Sequence, residues 1–498
     1  MSTPLGRLIA WLGAALPTLA VVGTCHGQSV LGYHGGADRA GNFVVPSLTW
    51  ERARNIHLDP SFHPRVSGHV YAQPLYWQPS GSPVGVLLVA TEDDRVHAIG
   101  ARSGDEIWTR ALGQPIPLWT QPCGNIDPLG ITGTPVIDAA TQAIYLDAAA
   151  RDTSGPHHRI FALSLKDGAL LPGWPIDVAE ALATRGQRFN TRFQNQRGAL
   201  AILDGRVYVP YGGHFGDCGD YHGWIVGVSL QPPHAVQSWS TRARGGGIWA
   251  PGGLVSDGRS IFAVTGNTFD ARTWADGEAV IRLGLEVSFS GKAQDFFAPS
   301  DWQELDDTDA DLGGTHALLL MLPGAKPEEL ILALGKDGKA YLLDRRSLGG
   351  IGGSLVAKKV STGPIRTAPA SFSSGNEVRV VFQGQGADCP NGTSGDLTVI
   401  AIAPGAPPTL RVAWCAAEHG RGSPIVTTTD GKANPIVWAV GAEGDNRLHG
   451  FRGDTGEVVF SGGGAGDAMG LVRRFQTLIA AGERLYVAGD GQVYAFAF

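Results

Sequence analysis

The chain has 498 residues, 71 of them glycine, with 43% hydrophobic and only 17% charged residues and a formal net charge of −7. Scattered charge of this size builds no basic patch, which excludes a nucleic-acid-binding footprint. So much glycine with so little charge suits many short strands and tight turns better than a helical fold.

Residues 1–27 carry Arg7, then an apolar run from Leu8 to Val22, then small and polar residues. The run is too short and wrongly flanked to span a bilayer, and predicts a secretory signal cleaved near Gly27. Cys25 raises a lipoprotein alternative, which the Val-Gly-Thr before it fits poorly. No later segment is long and apolar enough for a membrane span. The expectation is a periplasmic or secreted protein whose residues 28–498 form one domain. Four cysteines follow the signal: Cys123, Cys218, Cys389 and Cys415. An even number in an exported chain suggests two disulfides, the spacings match no zinc motif, and three pairings are open from sequence alone.

From Val86 to Trp108 the chain reads as strand, acidic turn, strand, Ser-Gly turn and a strand carrying tryptophan. Variants recur at Ala143–Trp174, Gly205–Trp239, Ile331–Leu348, Pro435–Phe460 and Arg484–Phe498. Strands repeating at roughly 45–60 residues, with no helical pattern between them, predict a β-propeller. The middle stretch Gly245–Thr268 predicts a hairpin, Ala250–Val255 with Ser260–Thr265, turning at Ser256-Asp257-Gly258-Arg259. A hairpin returns the chain to its start, so Trp249 and Asn267 are expected at one end of one sheet.

The module ATEDDRVHAIGARSGDEIW resembles the blade motif of the pyrroloquinoline quinone (PQQ) propeller family. That family includes quinoprotein dehydrogenases and non-catalytic relatives such as the outer-membrane assembly scaffold lipoprotein. The resemblance runs from Val70 to the end of the chain. It implies an all-β, eight-bladed propeller of four-stranded antiparallel blades. First strands are expected near Ala72–Trp77, Gly133–Ile137, Ala199–Leu203, Ala250–Val255, Ala317–Leu322, Ala368–Phe372, Ser423–Thr427 and Phe475–Ala480. The last unit stops after its third strand, and an open edge invites aggregation. An N-terminal strand around Ser47–Leu58 is the expected donor that closes it.

In such a propeller the loops before first strands and those between second and third strands share one face. That face collects Arg197, Asp217, Asp220, Trp249, Asn267, Asp309, Asp311, Lys336 and the four cysteines. Cys389 with Cys415 then falls within one blade, which leaves Cys123 with Cys218.

The dehydrogenases of the family hold PQQ between a tryptophan and a disulfide, with a calcium or lanthanide ion polarising its carbonyl. By resemblance, Gly-Gly-Ile-Trp249 and Val-Thr-Gly-Asn267 are similar to the tryptophan platform and the asparagine metal ligand. Leu334-Gly-Lys336 looks like the loop whose cation contacts the quinone, and Asn195-Gln-Arg197-Gly198 like the element meeting a cofactor carboxylate. Asp306–Asp311 lies where the catalytic aspartate is expected; Asp306, Asp307, Asp309 and Asp311 are all open to the role, with Asp309 the expected base and Asp311 next. Asp217 or Asp220 would complete the metal ligands. The chain departs from the pattern in having no adjacent cysteine pair, no clear glutamate ligand and no CxxCH haem motif.

The resemblance therefore implies PQQ- and metal-dependent oxidation of a small alcohol or related hydroxyl compound, with a separate electron acceptor such as a cytochrome c. The alternatives are a non-catalytic propeller acting as an envelope scaffold or ligand-binding module, and one that binds calcium alone. Only the enzyme reading requires Trp249, Asn267, an aspartate and Lys336 to converge.

Overall fold

The computed structural model describes Met1 and residues 29–498, so the body of the expected signal peptide, with Cys25, lies outside the described residues. The repeats fold into eight small sheets arranged as an eight-bladed β-propeller. First strands lie at Leu75–Trp77, Val136–Asp138, Ala201–Leu203, Val255–Ser256, Leu318–Met321, Ala370–Ser374, Ile425–Thr428 and Leu478–Ala481. Each overlaps its expected stretch, the fourth by Val255 alone. They define blades 1 to 8 in chain order.

Each blade is packed between two neighbours, so its inner strands are buried on both faces. That is why Val86–Thr91 and Arg95–Gly100 read as near-continuous apolar runs rather than as a polar alternation. The outermost strand of the same blade, Glu106–Ala111, is exposed along much of its length. Blade 8 is closed by the N-terminal strand His57–Leu58, which pairs antiparallel with Gln492–Ala497.

The segment Val30–Val45, unread in the sequence, fills the centre of the ring. Val30 bridges to Tyr76 in blade 1, and Asn42–Val44 runs parallel to Ile425–Thr428 in blade 7. The backbone N–H groups of Ile137, Ser256 and Ser371 donate to Leu31, Ala37 and Ala40. Arg39 is 1% exposed and donates to the carbonyls of Leu200, Leu254 and Tyr33 at 2.6, 3.0 and 3.0 Å. Burial, followed by the Arg39 charge, lowers the His34 pKa to about 3, so its ring is neutral here. Gly41, at φ +65°, lies so close to this packing that a Cβ would meet His34 at 2.7 Å and Ala370 at 2.8 Å.

Candidate active site

The site is built from loops that the inner strands bring to one end of the ring. The expected hairpin is shorter than its sequence pattern. Only Val255–Ser256 pairs with Ile261–Thr265. Pro251 can contribute no N–H, and Ala250–Gly253 instead closes a turn through the Gly253 N–H and the Ala250 carbonyl. The two ends still meet: the Gly266 N–H donates to Gly247 and the Gly246 N–H to Asn267. Trp249 and Asn267 thus emerge together.

A second hairpin, Glu329–Leu334 with Lys339–Asp344, carries Lys336 in its connecting turn. The segment approaching blade 5 contains a short helix, Trp302–Thr308, that the sequence pattern concealed. Asp309 ends it in the left-handed conformation, φ +53°. The Lys336 N–H donates to the Asp311 carbonyl at 2.8 Å. Its Nζ lies 2.5 Å from Asp311 Oδ2, 2.6 Å from Asp309 Oδ1, and 5.2 Å from the centre of the Trp249 ring, a cation–π distance. Asp311 Oδ1 accepts the Asn267 N–H at 2.7 Å.

Burial pushes the Asp311 carboxyl above its ordinary range, opposed by Lys336 and by the Asn267 N–H. Burial works against the Lys336 ammonium, yet Asp311 and Asp309 outweigh it and hold its pKa above that of an ordinary lysine. Burial also raises neighbouring Asp306, to about 6, despite its bonds from Thr268.

Trp249, Asn267, Asp309, Asp311 and Lys336 line one cavity of about 500 Å³, together with Arg197 and Asp217. Asp220 is not brought there; its carboxylate is 62% exposed and lies 3.7 Å from His222. Tyr33 of the central segment lies in the cavity wall, so that segment closes the channel beneath the site. The disulfides pair Cys123 with Cys218 and Cys389 with Cys415, as the propeller arrangement implied. The first packs beside Gly216 in the cavity wall. Arg366 and Arg474 also line the cavity and were missed. Each precedes a first strand, the position that singled out Arg197, and that was the available signal.

Comparison with known proteins gives the fold first. No protein-family description matches the sequence, and no curated protein matches it. Solved structures do. The quinohemoprotein alcohol dehydrogenase of Comamonas testosteroni superposes with TM-score 0.64 at 15% identity, covering 94% of this chain and 80% of that one. Alcohol dehydrogenase ADHIIG of Pseudomonas putida HK5 gives 0.64 at 13%, covering 94% and 80%. A europium-containing methanol dehydrogenase gives 0.64 at 13%, covering 95% and 98%. The chain thus has the eight-bladed fold of the quinoprotein dehydrogenases.

The cavity residues were tested against the two groups that this fold suggests. A flat, anionic quinone suits them. Trp249 presents an aromatic face. The Asn267 amide and the Arg197 guanidinium face the cavity without a side-chain partner among the described residues. A hard cation does not suit them. Calcium takes six to eight oxygen ligands. Here Asp311 is bound to Lys336, Asp217 accepts the Tyr221 hydroxyl at 2.6 Å, and Asp220 lies elsewhere. Among the described residues no group of three or more His, Cys, Asp or Glu side chains is placed to hold a metal ion.

Proposed function

We propose that this protein is a quinone-dependent oxidoreductase that oxidises a small alcohol or related hydroxyl compound outside the cytoplasm. The observation that carries this reading is the convergence of Trp249, Asn267, Asp311 and Lys336 in one cavity. PQQ is the proposed cofactor. Two disulfides suit an oxidising compartment, and no helix among the described residues is long and apolar enough to cross a membrane.

When bound, PQQ supplies a two-electron acceptor for the hydride that leaves the substrate carbon. Trp249 orients the flat ligand, and Arg197 pairs with a carboxylate on it. Lys336 would donate a hydrogen bond to the bound quinone. Asp311 Oδ2 accepts the substrate hydroxyl proton as hydride departs, leaving a carbonyl product. Asp311 takes this role ahead of Asp309 because it is 3% exposed against 69%, and burial raises the basicity of its carboxylate. A separate carrier, such as a cytochrome c, takes the electrons onward.

The test is calorimetric titration of the purified protein with PQQ, alone and with calcium or lanthanum. The expected result is saturable one-to-one binding that weakens by about tenfold in Asn267→Ala through loss of a ligand hydrogen bond. Calcium dependence would add the metal that the protein side chains alone do not hold. Absence of PQQ binding in every arm would end the enzyme reading and leave a scaffold or ligand-binding propeller.

A further inference from the structure

Beside the main cavity, and sharing Arg366, Arg474 and Phe475 with it, lies a smaller pocket of about 240 Å³. Its third arginine is Arg421, and no aspartate or glutamate lines it. The three arginines hold equivalent repeat positions. Arg366, Arg421 and Arg474 each stand four residues before a first strand, those starting at Ala370, Ile425 and Leu478 (370−366, 425−421 and 478−474). Consecutive blades 6, 7 and 8 therefore turn the same side chain toward one spot. Arg474 is paired with Glu443 at 2.8 Å, whereas Arg366 and Arg421 have no side-chain partner among the described residues. In a chain of net charge −7, this is a local excess of positive charge.

The loop Gln383–Gln385 also lines the pocket. It is pinned where the Thr398 hydroxyl donates to the Gly384 carbonyl at 2.7 Å. The Cys389–Cys415 disulfide packs against the next residue, Gly386. Three arginines lining one pocket suit an oxyanion, because the arginine fork matches carboxylate or phosphate geometry.

We infer that this side pocket binds the anionic group of the substrate, so that the compound oxidised in the main cavity is a hydroxy acid or a sugar acid. The substrate role rests on the oxidoreductase reading; the anion site does not. Carboxylates of the cofactor are the other source of the same chemistry. Arg421 separates the two, because it lines the side pocket and not the main cavity.

The experiment is calorimetry on the full protein with D-gluconate, with D-glucose as its neutral counterpart, with inorganic phosphate and, separately, with PQQ. Gluconate is expected to bind about tenfold more tightly than glucose, and to lose affinity as salt screens the arginines. Arg421→Ala and Arg421→Gln are expected to lose about tenfold in gluconate affinity while PQQ affinity is unchanged. Both variants should keep the parent's unfolding midpoint, because the Arg421 side chain is exposed. Phosphate binding that matches gluconate would widen the anion from carboxylate to phosphate ester. Equal binding of gluconate and glucose, or no response to either variant, overturns the site. PQQ affinity that falls in step with gluconate affinity overturns the substrate assignment and gives the pocket to the cofactor. Gluconate binding without any PQQ binding upholds the anion site and removes the oxidoreductase reading.

Discussion

Lys336 Nζ lies 2.5 Å from Asp311 Oδ2, and both side chains are largely withdrawn from water, 12% and 3% exposed. A buried pair is most costly when only one partner is removed. Lys336→Met should therefore destabilise the protein by about 3–5 kcal/mol near neutral pH. In the parent, the raised Lys336 pKa means its contribution is complete below about pH 10.4 and is lost as pH rises through the folded value. In the variant, Asp311 is an uncompensated buried carboxylate, so the penalty should shrink on acidification as that carboxyl takes a proton. Urea midpoints at pH 7 and pH 5 measure it; an equal penalty at both would show that loss of Lys336 does not change the protonation of Asp311 between these pH values.

Arg39 ties the central segment to blades 3 and 4 through the carbonyls of Leu200 and Leu254, and supports the cavity through Tyr33. Arg39→Met keeps most of the volume but leaves buried carbonyls without donors, each costing about 1–3 kcal/mol. The expected outcome is a lower unfolding midpoint together with weaker PQQ binding, because Tyr33 lines the cavity wall. Calorimetry on the folded variant separates the two effects. Unchanged PQQ affinity would show that the segment seals the ring without shaping the site.

The Cys123–Cys218 bridge closes 95 residues, against 26 for Cys389–Cys415. The chain-entropy account gives about 4.7 kcal/mol for the longer loop and about 3.5 kcal/mol for the shorter. Replacing Cys123 and Cys218 together by serine should cost more stability than replacing Cys389 and Cys415. It should also weaken PQQ binding, since Gly216 and Asp217 beside that bridge line the cavity. Paired urea titrations and calorimetry test both statements.

What was readable in the sequence follows from what is local. A blade is a run of short strands joined by turn residues, so the Val86–Trp108 unit could be read from pattern, and the family resemblance then placed the eight first strands. Trp249 and Asn267 could be joined because a hairpin returns the chain over a short distance. The segment Val30–Val45 could not be read: YHGGADRAGNF has no period, and two of the carbonyls that hold Arg39, those of Leu200 and Leu254, lie more than a hundred residues away. Arg366, Arg421 and Arg474 look like isolated surface residues until closure sets blades 6, 7 and 8 side by side. The helix Trp302–Thr308 was hidden by its acidic residues, which read as loop.

Blade 1 holds two fully buried carboxyls, Glu92 and Asp94, each 0% exposed. Burial, with Glu92 adding to it, pushes Asp94 up to about 9; burial pushes Glu92 up to about 7 against its bond from the Gly130 N–H. Both folded values lie above the unfolded value near 4. Between them the folded state holds the extra protons, so stability falls as pH rises: through about pH 4–7 for both groups, and on to about pH 9 for Asp94 alone of the two. Asparagine is a suitable replacement because residue 94 has φ +54°, a left-handed conformation that asparagine tolerates. Asp94→Asn should therefore reduce the fall in stability between pH 7 and pH 9 by the contribution of one proton, at most about 1.4 kcal/mol per pH unit. Glu278 and Glu418, raised in the same direction by burial, keep their share of the slope in both proteins. Urea midpoints across pH 5–9 for parent and variant give the comparison. Parallel curves above pH 7 would show that Asp94 is already ionised in the folded protein and that burial does not govern it.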